Sequence, residues 1–497
     1  MFFYIANFYK NIKYLIFFVV FLLKNDKFIS NKYAKRKNIA ILVTRWPVLT
    51  VIYFNIAIAI LIKFFGYRPV IIYDDLTSDI FKKNFFVRFT IYLLFKILKD
   101  VKIVYLSKLT GLELDDSDIY EIKILSKLNT YYKQKTTVIG ENFTRIYNDF
   151  IDGLSFVSHR INRLFSDNKF AVLIIPGGVY GHTGLYIHFG NKYNVRVAAY
   201  DSGPNRFIVG TDNVAGYLKD IPKILGVATN LDEFKNEIAL AKQEFEKRTQ
   251  GKDSRRYQPL PFDLADNSLE QFDVVVPLNI EIDTASLVKS SNFENMCAWL
   301  TETIDFLLKN TMANVVIKEH PSIYNRTDFL KRNIISCLAG NPRVQYFSRD
   351  DKVNTYQLIN KAKIVLPYTS TVGIEAAIMG RAVIVESGVY YSSLPFVINS
   401  SSKRGYFDNI LKYLENGIKL SDDEKKLALL CYYFTQKCNF LNTYFTPQPV
   451  DFNVWSKMSI SELFNDEKIK IILTSFIDGI PLAKLNHEYL ISKQNVN

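Results

Sequence analysis

The sequence predicts an α/β protein of two doubly wound parallel-sheet domains, arranged to face a cleft. Three observations predict it. Short β-branched runs alternate with helix-length segments through most of the 497 residues, as in chains of βαβ units. The alternation occurs twice, from Asn38 to about Tyr200 and from Phe272 to Glu386, with an aperiodic stretch between. A chain of this length also exceeds one ordinary core.

The N-terminus is set apart by charge. Residues 1–37 hold eight Lys/Arg and one Asp, hence +7 of the whole chain's +13, around the apolar run Tyr14–Leu23. Ten apolar residues are too few to span a bilayer, which takes about 20. No small-residue cleavage site follows. Cations flanking an apolar plug suit an anionic membrane, each contributing about 1 kcal/mol near the surface. The segment is therefore expected at the inner membrane surface, and the protein in the cytoplasm, peripheral to that membrane. A terminal helix packed on the protein is the plainer alternative. Elsewhere bases interleave with acids and no recognition motif appears, so nucleic acid is not an expected partner. Four scattered cysteines, Cys297, Cys337, Cys431 and Cys438, make neither a disulfide framework nor a zinc pattern.

Asn38–Val43 reads as a buried strand and Tyr67–Asp74 as the next. Pro47–Phe65 between them is apolar enough for a membrane span, but βαβ spacing makes it a crossover helix. A helix over 79–98 leads to a strand at Val101–Ser107. Helices near 118–134 and 141–166 precede a strand at Phe170–Ile175, which runs into Pro176-Gly177-Gly178 and on to Gly184. These glycines allow a close turn into a helix, but no Walker lysine follows. The strand Val195–Tyr200 ends in Asp201-Ser202-Gly203-Pro204-Asn205-Arg206. A carboxylate there lies on the edge where open α/β sheets carry their sites, although the composition is also that of an ordinary turn.

Residues 247–270, basic and then proline-bearing, mark the expected boundary. The second series has strands at 273–279, 314–320, 344–347, 363–369 and 382–386, with helices near 289–309, 327–338, 353–360 and 371–379. Further helices are expected at 405–416, 422–438 and 458–476. The domains thus read as a membrane-association segment over 1–37, a first Rossmann-like domain over 38–260, a second over 268–445 and a helical tail over 446–497.

The chemistry gathers in the second series. Ser370 and Thr371 open a helix at the carboxyl edge of a strand, where free N–H groups and the helix dipole favour an anion. Ser370 acting only as a cap is the alternative. On the neighbouring strand, Lys318-Glu319-His320-Pro321 puts His320 on the same edge. As an imidazolium it could donate a charge-assisted hydrogen bond to a phosphate. Glu375, in the first turn, could accept from ribose hydroxyls or be a dipole-favoured surface acid. Asp74-Asp75 and Asp115-Asp116 lack a matching ligand set and read as loop acids. His182 and His188 are off the one-turn spacing of a helical zinc pair, so no metal site is expected.

Lys318-Glu319-His320-Pro321, with Thr369-Ser370-Thr371-Val372-Gly373-Ile374-Glu375 and Gly380-Arg381-Ala382, resembles the bacterial capsule-polysaccharide synthesis family of GT-B glycosyltransferases, which includes the Kdo transferases. Val276-Pro277-Leu278-Asn279, Asp283 and Trp299-Leu300 are similar to it as well. Tyr200-Asp201-Ser202-Gly203 with Arg206 is similar to its acidic-glycine-arginine segment, with Ser202 where the family usually has a second acid. The resemblance implies a nucleotide-sugar donor as co-substrate, its phosphate against Lys318, His320, Ser370 and Thr371 and its ribose on Glu375. Asp201 would be the general base, with His320 beside the departing phosphate. It implies no metal or other cofactor, a CMP-activated acid sugar such as Kdo as donor, and a glycan or glycolipid acceptor. Arg45, Trp46, Gly177, Gly178 and Arg206 are nominated for the acceptor side. A polyol-phosphate transferase of the teichoic-acid type is a rival, although the chain lacks that group's Asp-Tyr-Ser-Ser stretch. A non-catalytic glycan-binding or assembly protein at the membrane is another.

Overall fold

The two series of apolar runs become two sheets, each in its own compact unit. The computed structural model describes the chain except residues 1, 26–36, 46–47, 77–84, 99–100, 227–229, 253–271, 288–291, 322–334, 336–337, 339, 387 and 495–497. Trp46 and most of the helix expected at 327–338 lie outside the described residues. One unit is Met1–Asn129, Thr144–Asp220 and Cys438–Asn497; the other is Thr130–Phe143 and Ile221–Lys437.

In the first unit α1 (Phe2–Lys24) precedes β1 (Asn38–Thr44), and α2 (Leu49–Phe64) crosses to β2 (Arg68–Asp74). α3 (Phe85–Ile97) leads to β3 (Lys102–Tyr105). After α4 (Asp116–Gln134) and α5 (Phe143–Asp167) come β4 (Val172–Pro176), α6 (Thr183–Lys192) and β5 (Arg196–Gly203). The strands run parallel in the order β3-β2-β1-β4-β5. The order reverses between β1 and β4, the switch point where doubly wound sheets leave a crevice at their carboxyl ends. α2 is buried on nearly every side, which explains a composition otherwise suggestive of a membrane. The chain then turns at Asn205, whose φ of 53° is left-handed, into the antiparallel β6 (Arg206–Gly210).

The second unit repeats the plan. α7 (Lys235–Thr249) is followed by β7 (Val274–Pro277), α8 (Met296–Asn310), β8 (Val315–Lys318) and β9 (Val344–Phe347). α9 (Thr355–Lys361), β10 (Ile364–Val365), α10 (Val372–Ile378), β11 (Ala382–Val385) and β12 (Ile398–Asn399) complete the winding. All six strands are parallel, in the order β9-β8-β7-β10-β11-β12. The switch point falls between β7 and β10. α11 (Lys403–Asn416) covers its later strands, and α12 (Asp422–Tyr433) packs on α7 and α10.

Three expected boundaries fall elsewhere. The N-terminal segment is not set apart, because Tyr14, Phe18, Phe21 and Leu22 are buried in the first unit's core. Nor is the tail. β13 (Leu441–Asn442) adds to β6, and α13 (Pro449–Trp455) and α14 (Glu467–Asp478) place Phe452, Trp455 and Phe476 in that same core. Arg196 fixes the end of α14 by donating to the Phe476 and Ile477 carbonyls at 2.6 and 2.7 Å. The second unit begins before the expected linker, since α7 sets Phe245 edge-on to Tyr356 and Tyr432. It also claims residues 130–143. The buried Glu281 accepts the Thr137 N–H, the Thr137 hydroxyl at 2.7 Å and the Thr136 hydroxyl at 2.8 Å.

Candidate functional site

The carboxyl ends of β7, β8 and β10 in the second unit form a pocket lined by Pro277, Leu278, Lys318, His320, Ser370, Thr371, Glu375 and Arg248. Its place is dictated by topology, because strands on either side of the switch point diverge there. Proline at 321 follows β8 and leaves Lys318 and His320 on the rim. β10 feeds Thr369-Ser370-Thr371 into α10. The five residues expected on the donor side therefore lie together.

Their states differ from expectation in two respects. Burial, together with the charges of Arg248 and Lys318, pushes His320 down to about 4. Those surroundings favour a neutral imidazole at pH 7 over the expected imidazolium. Glu375 is fully buried, with its carboxylate engaged rather than open to a ribose. Arg248 Nε lies 3.0 Å from one oxygen and the Tyr356 hydroxyl donates to the other at 3.0 Å. Arg248 Nε also donates to that hydroxyl at 2.7 Å. Burial works against the guanidinium charge, but Glu375 and Tyr356 outweigh it and hold the Arg248 pKa above its usual value.

Lys318 is 5% exposed and donates to the Ser348 carbonyl at 2.7 Å, and burial lowers its pKa. Glu319 accepts from the Tyr346 hydroxyl and the Arg349 N–H, both at 2.9 Å. The Ser370 hydroxyl accepts the Val372 N–H at 3.3 Å, while the N-cap position itself is Thr371, whose side chain makes no cap hydrogen bond. The Ser370 carbonyl takes the Tyr391 hydroxyl, which passes where a Cβ on Gly373 would stand, 2.2 Å away. Only glycine at 373 leaves room for that contact. α10 has seven residues, too short to add much dipole, so the side-chain cations carry the attraction for anions.

At the carboxyl edge of the first unit, Asp201 is exposed, one residue past the last β4–β5 pair, Pro176 and Tyr200. Its carboxylate accepts the Ser202 N–H at 2.7 Å. Arg206 lies opposite Gly203 in the β5–β6 hairpin, its guanidinium 5.5 Å from the Phe440 ring centroid. Arg45 and Gly177 follow the two strands that flank the switch point. Arg45 Nε donates to the Tyr73 hydroxyl at 3.1 Å, and Gly177 N–H to the Tyr200 carbonyl at 2.9 Å. Gly178 has φ 119° and would crowd Ile187 if it carried a Cβ, so the turn requires glycine there.

Asp74 is not a loop acid. As the last residue of β2 it is fully buried, 2.8 Å from His182 Nδ1 and accepting from the Tyr186 hydroxyl at 3.3 Å. Asp75 instead receives the Ser107 N–H at 2.8 Å. His188, midway along α6, meets the buried Asp118 at 2.7 Å, and Lys192 at its end reaches Asp115 and Asp118, both at 2.7 Å. Those contacts join α6 to α4, and the Lys192 hydrogen bond is the chief reason Asp115 is held well below the usual carboxylate range. Among the described residues no cluster of His, Cys, Asp and Glu suits a metal ion.

Sequence reasoning missed Arg248, Tyr356 and the Asp74–His182 pair. The signal for Arg248 was its place in a basic run, read as linker. For Asp74 it was a final strand residue at the edge that carries sites.

Comparison with known proteins places these observations. Protein FixF of Sinorhizobium fredii is 28% identical over 128 residues, which are 26% of this chain and 29% of FixF. The match thus spans less than a third of that relative's length. Among solved structures, the β-Kdo 2,7 transferase of Thermosulfurimonas dismutans KpsC aligns at 17% identity over 55% of this chain and 79% of its own, with a TM-score of 0.32. A glycosyltransferase from Rickettsia africae aligns at 12% identity over 88% of this chain and all of its own, with a TM-score of 0.28. Residues 238–394 match a family model, and that stretch contains Arg248, Lys318, His320, Ser370, Thr371 and Glu375. The region that builds the pocket matches the family of capsule polysaccharide biosynthesis proteins.

Proposed function

We propose that the chain is a glycosyltransferase of surface-polysaccharide synthesis that uses a nucleotide-activated sugar, with a CMP-linked acid sugar such as Kdo as donor. The observation that carries this is the convergence of Lys318, His320, Arg248, Ser370 and Thr371 on one pocket inside the stretch matched by the family. The donor phosphate sits among these groups. Its charge is met by side chains, which supply charge-assisted hydrogen bonds without calling on a metal. The acceptor, a glycan or glycolipid, is bound by the first unit.

In the reaction an acceptor hydroxyl gives its proton to the Asp201 carboxylate as its oxygen bonds to the anomeric carbon. The bond from that carbon to the phosphate oxygen breaks, and the nucleotide leaves with the electron pair. The charge growing on that phosphate is stabilised by Arg248, Lys318 and the N–H of His320. The protein works in the cytoplasm, at the inner face of the membrane.

A thermal-shift panel with CMP, CDP, UDP, GDP and inorganic phosphate tests the reading. A ligand at 100 times its dissociation constant stabilises by about 2.7 kcal/mol. The expected result is a shift with CMP that is lost in His320→Ala while the ligand-free melt stays cooperative. A shift with UDP or GDP alone discards the acid sugar. No shift with any nucleotide overturns the donor site.

A further inference from the structure

The apolar run Tyr14–Leu23 divides between two surfaces. Its inner residues belong to the core, with Phe18 stacked on Tyr53 at 4.7 Å and Phe21 edge-on to Trp455 at 5.9 Å. Its outer residues do not. Ile16 and Val20 are each 55% exposed, Leu23 is 62% exposed and Tyr9 68%. Positions 9, 16, 20 and 23 recur at helical spacing and make one stripe.

α3 packs beside α1 and is divided in the same way. Val87, Ile91, Leu94 and Phe95 face the core, whereas Phe89 is 47% and Tyr92 58% exposed. Single exposed apolar residues need no explanation, but six of them on two helices packed together are a concentration of the kind that marks an interaction site.

Charge selects the partner. α1 and α3 carry Lys10, Lys13, Lys24, Arg88 and Lys96, and neither helix contains an Asp or a Glu. Lys24 turns aside to the Lys457 carbonyl at 3.3 Å. The other four cations are exposed beside the apolar stripes. Aromatic and aliphatic side chains interleaved with cations and free of acids complement an anionic lipid surface, where tyrosines sit at headgroup depth. Among the described residues no helix is long and apolar enough to cross a membrane. The inner face of α1 is moreover buried in the core, which leaves its outer face for the surface.

We propose that the outward faces of α1 and α3 together form a platform that lies flat on an anionic bilayer. The platform extends beyond the N-terminal segment, and its second half, Arg88, Phe89, Tyr92 and Lys96, is supplied by a helix inside the first sheet domain. The proposal does not depend on the nucleotide reading.

The test is co-sedimentation of the full chain with vesicles of phosphatidylcholine alone or mixed with phosphatidylglycerol, at low and high salt. The wild type is expected to partition onto the anionic vesicles, to be released by salt and to ignore phosphatidylcholine. Phe89→Ser with Tyr92→Ser should lower partitioning at least ~10-fold, since two large apolar side chains no longer enter the interface. Lys10→Glu with Lys13→Glu should do the same. All four positions are exposed, and an unchanged melt reports that each variant is folded. Equal binding to both vesicle types overturns the proposal, as does wild-type partitioning of the Phe89/Tyr92 variant. A wild type that ignores vesicles but self-associates through these faces overturns it too, in favour of a second copy of the chain.

Discussion

Replacing Arg248 by alanine isolates the feature of the pocket least expected from sequence. Glu375 is fully buried, and the guanidinium 3.0 Å away is its charged partner. Removing one member of a buried pair leaves an uncompensated charge and costs about 3–5 kcal/mol. In a unit of about 150–250 residues, each kcal/mol lowers the melting temperature by about 2–4 °C. Arg248→Ala is therefore expected to melt roughly 6–20 °C below the wild type. Adding Glu375→Gln should restore part of this, because a neutral amide can still accept from Tyr356 and no buried charge remains. The deficit of the single variant should also narrow in acid. A buried carboxyl without a partner takes its proton at a higher pH than in the unfolded chain, so falling pH stabilises the folded variant relative to its unfolded state. Thermal melts of the three variants across pH 5–8 measure all of this. A single variant that melts with the wild type refutes the reasoning, and so does a double variant no more stable than the single.

The pH dependence of His320 follows from its pKa of about 4. The unfolded chain binds this proton near 6.5, so stability should fall by up to about 3 kcal/mol between pH 6.5 and 4, and His320→Gln should lose that part of the slope; parallel denaturation profiles for the two proteins would contradict it. Gly373→Ala should displace Tyr391 from the Ser370 carbonyl, destabilise by about 1–3 kcal/mol and shrink the CMP shift, whereas an unchanged melt would mean the helix simply slides. Asp201→Asn should slow transfer at least ~100-fold with the CMP shift intact and His182→Gln near wild-type rate. The opposite pattern in a transfer assay would move the base to the Asp74–His182 pair.

The parts legible in sequence were those with local causes. β1, β2, β4 and β7 announced themselves as apolar runs because strands of a parallel sheet are buried on both faces. The turn from β10 into α10 was legible because hydroxyls, glycine and strand apolarity sit within a few residues. β6 was missed because its hairpin begins at Gly203, where the sequence offered only a turn. The role of the tail was illegible for another reason. Phe452 and Trp455 lie outside the expected helices and Phe476 ends one, and nothing local says that they complete a core begun at Tyr14. Arg248 was hidden in the same way, since its partner Glu375 lies far along the chain. Local patterns reveal elements, while pairings across a hundred residues emerge only in the folded chain.

The charge balance of the pocket bears on the donor. Arg248 is paired with Glu375, and Glu319 occupies the same turn as Lys318, so with His320 unprotonated the pocket's cations leave only a small positive surplus to meet a phosphate. The phosphodiester of a CMP-linked donor brings one negative charge to the pocket, and the carboxylate of an acid sugar adds another on the sugar itself. The departing nucleotide monophosphate develops a second charge on its phosphate, which raises the proton affinity of any imidazole beside it. His320 can then take up a proton, so that positive charge appears as the leaving group's charge grows. A nucleoside diphosphate would bring more charge than the pocket compensates. CMP is therefore expected to bind more tightly than CDP or UDP, and to do so with net proton uptake near neutral pH. Calorimetry of CMP binding in two buffers of different ionisation enthalpy measures that proton directly. Uptake present in the wild type and absent in His320→Gln supports the exchange. Uptake of equal size in both proteins, or tighter binding of the diphosphates, would show that this imidazole is not the group that answers the phosphate.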